Sequence, residues 1–156
     1  MNTSSSNLPT QDERVMAALA HLTAILPLLG ILAPIVIWVT QRQKSPYVAF
    51  QALQAIAHQV IMILVWFLGM GCYMCSFFGM FFSIPFIESS SRPSATPEMP
   101  FFGIPFFAPF AAMGLMLFSE FILVIYGLIG SVLTIQGKNF RYWLIGQRVE
   151  RFMQQS

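Results

Sequence analysis

SPYVAFQALQAIAHQV, residues 45–60, begins like a turn and runs directly into a long apolar stretch. Ser45 followed by Pro46 is a helix start, because serine caps and proline is tolerated in a first turn. Advancing about 100° per residue from Gln51 brings Gln54 and His58 onto its face. Further along, the same face collects Met62, Gly69, Cys72, Ser76 and Ser83. Phe67, Met74, Phe78 and Phe81 collect on the opposite face. In a bilayer, helices pack through small residues and cross-helix hydrogen bonds, and bulky apolar groups meet lipid. The expectation is one long helix over residues 46–83, with a polar and small stripe turned inward. Gln59 lies off the stripe and would reach headgroups or a neighbouring helix.

Composition supports a lipid environment. The 156 residues are 56% hydrophobic and 9% charged, against roughly 25% charged in soluble domains. The apolar residues come in long runs rather than narrow stripes. A net charge of +2 is too small to suggest a nucleic-acid partner. Six of the eight Lys and Arg residues fall in two places: Arg42 and Lys44, then Lys138, Arg141, Arg148 and Arg151. Short segments rich in Lys and Arg stay cytoplasmic, so both places, and hence the C-terminus, are expected in the cytoplasm. The opening MNTSSSNLPTQ lacks the basic stretch of a secretory leader and reads as a disordered tail, residues 1–11.

Working outward, residues 12–43 carry enough apolar length for one span but hold Pro27, Gly30 and Pro34 in the middle. Either one kinked span or a hairpin of two short helices, turning near residues 28–32, accommodates them. Residues 84–110 are rich in Pro, Ser and Phe, and the prolines argue against a regular helix. They read as an extracytoplasmic loop, with Phe101, Phe102, Phe106 and Phe107 dipping into the interface. Residues 111–136 form the last span. On it Glu120 shares a face with Met113, Gly127, Ser131 and Thr134, opposite Phe118, Ile122, Ile125 and Ile129. Gly127 with Ser131 and Gly130 with Thr134 give small-xxx-small spacings. A lesser stripe, Glu13, Ala17, Ala20, His21 and Ala24, marks the first helix. In the tail, residues 137–156, Tyr142, Ile145, Val149, Phe152 and Met153 share one helical face, and Lys138, Arg141, Arg148 and Arg151 lie elsewhere. That is the pattern of an amphipathic helix lying on an anionic membrane surface, and a partner-docking helix would look similar.

The fold class is therefore all-α and membrane-integral: a small bundle of four helical segments followed by an interfacial helix. Glu120, His58, Gln54, Gln51 and His21 make up a candidate intramembrane polar site. A carboxylate in a bilayer is paired, protonated or facing water, so Glu120 serves either a proton or substrate relay or a structural cross-helix hydrogen bond. Cys72 and Cys75 form a C-x-x-C, a candidate redox pair, although buried cysteines are also ordinary packing residues. Catalytic triads, phosphate-cradling glycine loops and HExxH motifs do not occur in the chain, and no metal or cofactor is implied.

DERVMAALAHLTAILPLLG, PIVIWVTQRQKSPYVAFQALQAIAHQ and QGKNFRYWLIG together resemble a family of small bacterial membrane proteins, the domain of unknown function forty-eight-seventy. That family is similar to the chloroplast import component Tic-twenty. The resemblance covers the chain outside residues 84–110. It implies four membrane helices with both ends cytoplasmic in a bacterial plasma membrane, which favours the hairpin, and work in translocation, insertion or complex assembly. The expected protein is a non-enzymatic accessory subunit whose partners are the bilayer and other membrane proteins or copies of itself. The alternatives are a membrane thiol oxidoreductase using Cys72 and Cys75, or a proton-coupled transporter using Glu120.

Overall fold

The structure is a computed structural model that describes residues 8–26, 28–90, 100–143 and 145–155. The described residues form five α-helices and no strand. The helices are α1 (Gln11–Leu22), α2 (Leu32–Gln41), α3 (Pro46–Ser90), α4 (Pro100–Ile135) and α5 (Gly146–Gln155). Two segments, Pro46–Ser83 and Phe106–Ile135, are long and apolar enough to cross a membrane. The chain divides into two compact units: residues 1–63 with 122–156, and residues 64–121.

In the first unit, α1 starts on a capping box. Thr10 accepts from the Glu13 backbone N–H, and the Glu13 carboxylate accepts from the Thr10 N–H at 2.7 Å. The neighbouring Ser45 side chain and that Thr10 N–H hold the Glu13 carboxyl below its usual range. The helix tightens into a 3-10 turn at Thr23–Ile25 and then breaks. A Cβ on Gly30 would collide with the carbonyls of Thr23 and Leu26, so only glycine fits this turn. α2 follows with Pro34 in its first turn, where no intrahelical N–H is lost, and packs on α1. Residues 11–41 are thus two short helices, and Glu13 at the start of the first lies beside Ser45 after the second.

The α1–α3 seam is built from alanine. Ala20, Ala52 and Ala55 form its buried centre, with Ile37 and Trp38 of α2 packed against them. Small side chains let the backbones approach, and dispersion contacts replace the hydrophobic drive that lipid does not supply. α4 approaches through glycine as well: a Cβ on Gly127 would stand 2.6 Å from the Ala24 Cβ. The Ser131 hydroxyl donates to the Ala18 carbonyl at 3.0 Å, a bond from α4 to α1.

The prolines of residues 84–110 point to an irregular loop. Instead α3 continues through Pro85 to Ser90, and α4 begins at Pro100 and runs through Pro105 and Pro109. Pro100 stands in a first turn, where no intrahelical N–H is lost, and each interior proline removes one hydrogen bond without ending the helix. Residues 91–99 and the side chains of Phe101 and Phe102 lie outside the described part, and Phe106 and Phe107 are exposed.

The tail also departs from expectation. α4 ends at a Schellman motif: Gly137 takes φ 77°, its N–H bonds the Thr134 carbonyl and the Lys138 N–H bonds the Leu133 carbonyl. Residues 138–143 then run without helical structure, and helix resumes only at Gly146. Tyr142 is therefore not part of a helical face. It is 2% exposed in the centre of the first unit.

Candidate functional site

Over residues 51–62 the long helix turns the expected face inward, and Gly69, Ser76 and Ser83 further along are half-buried. Gln51, Gln54, His58 and Met62 are buried, and Phe67, Met74, Phe78 and Phe81 are exposed. Two positions depart from the wheel. Cys72 is exposed although it shares the stripe's bearing, and Met113 of α4 is exposed although it shares that of Glu120. Both lie in the second unit.

Gln51, Gln54 and His21 of the first unit join one network with Asn139, Phe140 and Tyr142 of the returning tail. Gln54 is engaged at both ends: its Nε2 donates to the Phe140 carbonyl at 3.0 Å, and its Oε1 accepts from the Tyr142 backbone N–H at 2.9 Å. Gln51 Nε2 donates to Asn139 Oδ1 at 2.8 Å and to the Phe140 carbonyl at 3.1 Å. Gln51 Oε1 accepts from His21 Nε2 at 3.1 Å. His21 Nδ1 then accepts from the Tyr142 hydroxyl at 3.0 Å. This pattern selects the neutral Nε2–H tautomer, because one nitrogen donates and the other accepts. His58 Nε2 donates to the Leu123 carbonyl of α4 at 3.1 Å. Its ring stacks on Tyr142 with centroids 4.5 Å apart and planes 12° from parallel. Phe140 and Tyr126 meet the Tyr142 ring edge-on at 4.8 and 5.0 Å. Gln59 is buried and donates to Thr23 Oγ1 at 2.9 Å, so it takes the neighbouring-helix option.

Four of the five candidate polar residues, His21, Gln51, Gln54 and His58, thus converge. Glu120 does not join them. It lies in the second unit, 8% exposed, and neither carboxylate oxygen has a hydrogen-bond partner among the described residues. Cys72 and Cys75 are free and exposed on α3, one helical turn apart. No cluster of three or more His, Cys, Asp or Glu suited to a metal occurs among the described residues. Of the basic residues, Arg141 pairs with Glu150 at 3.1 Å and lies over the Phe50 ring, and Lys138, Arg148 and Arg151 are exposed.

Sequence reasoning missed Tyr142, Phe140 and Asn139 as partners of the stripe. Gly137-Lys138-Asn139 was the available signal, since glycine just after an apolar helix marks a stop and a change of direction.

Fold and site together define a helical membrane protein whose first unit ties His21, Gln51 and Gln54 into its own packing. The chain belongs to the magnetosome magnetite crystal formation protein family, MamF/MmsF, whose model matches residues 12–149. This corrects the resemblance drawn from AALAHL, the SPYVAFQALQA helix start and G-x-x-F-R-Y. The match is to the magnetosome family, not to the family of unknown function or the chloroplast import component. Comparison with curated proteins and with solved structures yields no match.

Proposed function

We propose that the chain is a non-enzymatic, multi-pass membrane protein that serves magnetite crystal formation as an accessory or assembly subunit. The supporting observation is the buried cluster of His21, Gln51, Gln54 and Tyr142, joined by hydrogen bonds, with His58 stacked on the Tyr142 ring. General acid–base or nucleophilic chemistry needs a group free to exchange a proton with a substrate. Here both His21 nitrogens and both ends of Gln51 and Gln54 already have partners inside the unit. What α3 and α4 offer outward is bulk: Leu68, Phe78, Leu115 and Phe118 are each more than half exposed. Such faces suit lipid and neighbouring spans.

Three contacts support a topology with both ends on one side. Arg14 of α1 packs against Gly137 after α4, Tyr47 of α3 donates to the Thr134 and Lys138 carbonyls, and Glu13 lies beside Ser45. The entries of α1 and α3 and the exit of α4 therefore share one end of the first unit. Arg42 and Lys44 precede α3 and Lys138 follows α4 in the sequence, and basic segments of this kind favour the cytoplasmic side, which supports the reading of residues 11–41 as a hairpin.

The test is in-cell photocrosslinking from the exposed positions 68 and 78, with buried position 54 as control. A stable set of captured membrane proteins is expected from the exposed sites and none from position 54. Capture of lipid and self alone would sink the accessory role. A phenotype abolished by Cys72→Ser with Cys75→Ser would transfer the function to thiol chemistry.

A second reading rests on Glu120. A buried carboxyl without a hydrogen-bond partner among the described residues, in an apolar helix, fits a proton-carrying group. Loss of phenotype in Glu120→Gln with retention in Glu120→Asp would select that reading.

A further inference from the structure

The face of α3 beside its buried stripe carries Leu53, Ala57, Val60 and Ile61, at helical spacing. With Ile145 and Val149 of the tail these residues line a groove of about 650 Å³ within the first unit. That volume is inside the roughly 300–1,000 Å³ range of small-molecule sites. Its polar component is the exposed Arg148.

Charge and setting identify the occupant. Arg141 is held by Glu150, and Arg148 has no carboxylate partner among the described residues. One wall belongs to a membrane-length helix, and Val60 is 42% exposed, so the apolar part opens toward hydrocarbon. A second copy of the chain is disfavoured because residues 136–156 hold Lys138, Arg141, Arg148 and Arg151 against the single acid Glu150. Two such tails brought together would repel.

We propose that this groove binds one anionic phospholipid, with an acyl chain along Leu53, Ala57 and Ile61 and the phosphate at the Arg148 guanidinium. The site rests on the reading that α3 crosses the bilayer. It is independent of the accessory role, since lipid selectivity is measured without a cellular phenotype.

The experiment uses the full chain in detergent micelles. Phosphatidylglycerol and phosphatidylcholine with matched chains are titrated in, and retained lipid is counted by native mass spectrometry. One phosphatidylglycerol is expected to be retained in preference to phosphatidylcholine. Arg148→Gln changes an exposed side chain, leaves the fold intact, and should weaken phosphatidylglycerol about fivefold, the worth of one cation near an anionic headgroup. Lys44→Gln removes the same charge outside the groove and should leave the preference unchanged. Ala57→Phe fills the groove and should expel both lipids at unchanged helicity. Equal retention of the two lipids by the unmodified chain would overturn the proposal. So would equal losses in Arg148→Gln and Lys44→Gln, full retention in a folded Ala57→Phe, or a co-purified peptide in place of lipid.

Discussion

Tyr142 meets three of the four convergent polar residues, His21, Gln54 and His58. Its hydroxyl bonds His21, its backbone N–H bonds Gln54, and its ring stacks on His58. Burial pushes its phenol far above the ordinary value of 10.0, with the neighbouring Tyr126 adding to the effect. The sign of the linkage follows. Above pH 10 the unfolded chain ionises this phenol and the folded chain does not, so stability present below that pH is lost as pH rises. Tyr142→Phe is expected to lower the detergent-solution melting temperature at pH 8 and to flatten its decline above pH 10, as read by thermal unfolding at stepped pH. Gln54→Ala should cost about 1–3 kcal/mol, because it leaves the buried Tyr142 N–H without an acceptor. Gln147→Ala, on an exposed side chain, should stay within about 0.5 kcal/mol. Denaturant titration of the micellar protein distinguishes the two.

At the scale of elements, glycine sets where helices meet and stop. Gly127→Val would drive α4 away from Ala24 and break the Ser131–Ala18 bond, so the variant should unfold at lower denaturant than the parent. Gly137→Ala forces a side chain into the left-handed region at φ 77°, costing about 1–2 kcal/mol. It also crowds Arg14. The α3 stripe was legible in the sequence because a long helix holds its period, and Gln51, Gln54 and His58 repeat within it. The ends of the helices were less legible. Pro85 reads as a breaker, but α3 continues through it to Ser90. The tail misled for another reason. Tyr142, Ile145 and Val149 mimic helical spacing, and only the three-dimensional demand of unpaired glutamines shows that Tyr142 points inward. Asn139, whose amide oxygen accepts from Gln51, gave no sign of a partner more than eighty residues away.

For the whole molecule, the shared end of the first unit predicts where reporters fall. Fusions at the N-terminus and after Gln155 should both behave as cytoplasmic, with inactive alkaline phosphatase and fluorescent green protein. An active phosphatase at either end would refute the hairpin arrangement of residues 11–41. The basic residues that carry this assignment were readable at once, since charge asymmetry needs no structure. The division into two units was not, because α3 and α4 each contribute to both and look continuous in the sequence.

The returning strand of chain at Asn139–Tyr142 also imposes an order on biogenesis. While the ribosome is still making α4, Gln54 and the Gln51 amide nitrogen lack the partners that residues 139–142 later supply. Until residues 139–142 emerge, the nascent protein is a client for whatever shelters polar side chains in lipid. A chain terminated at Lys138 should stay in that condition and be cleared by membrane proteases.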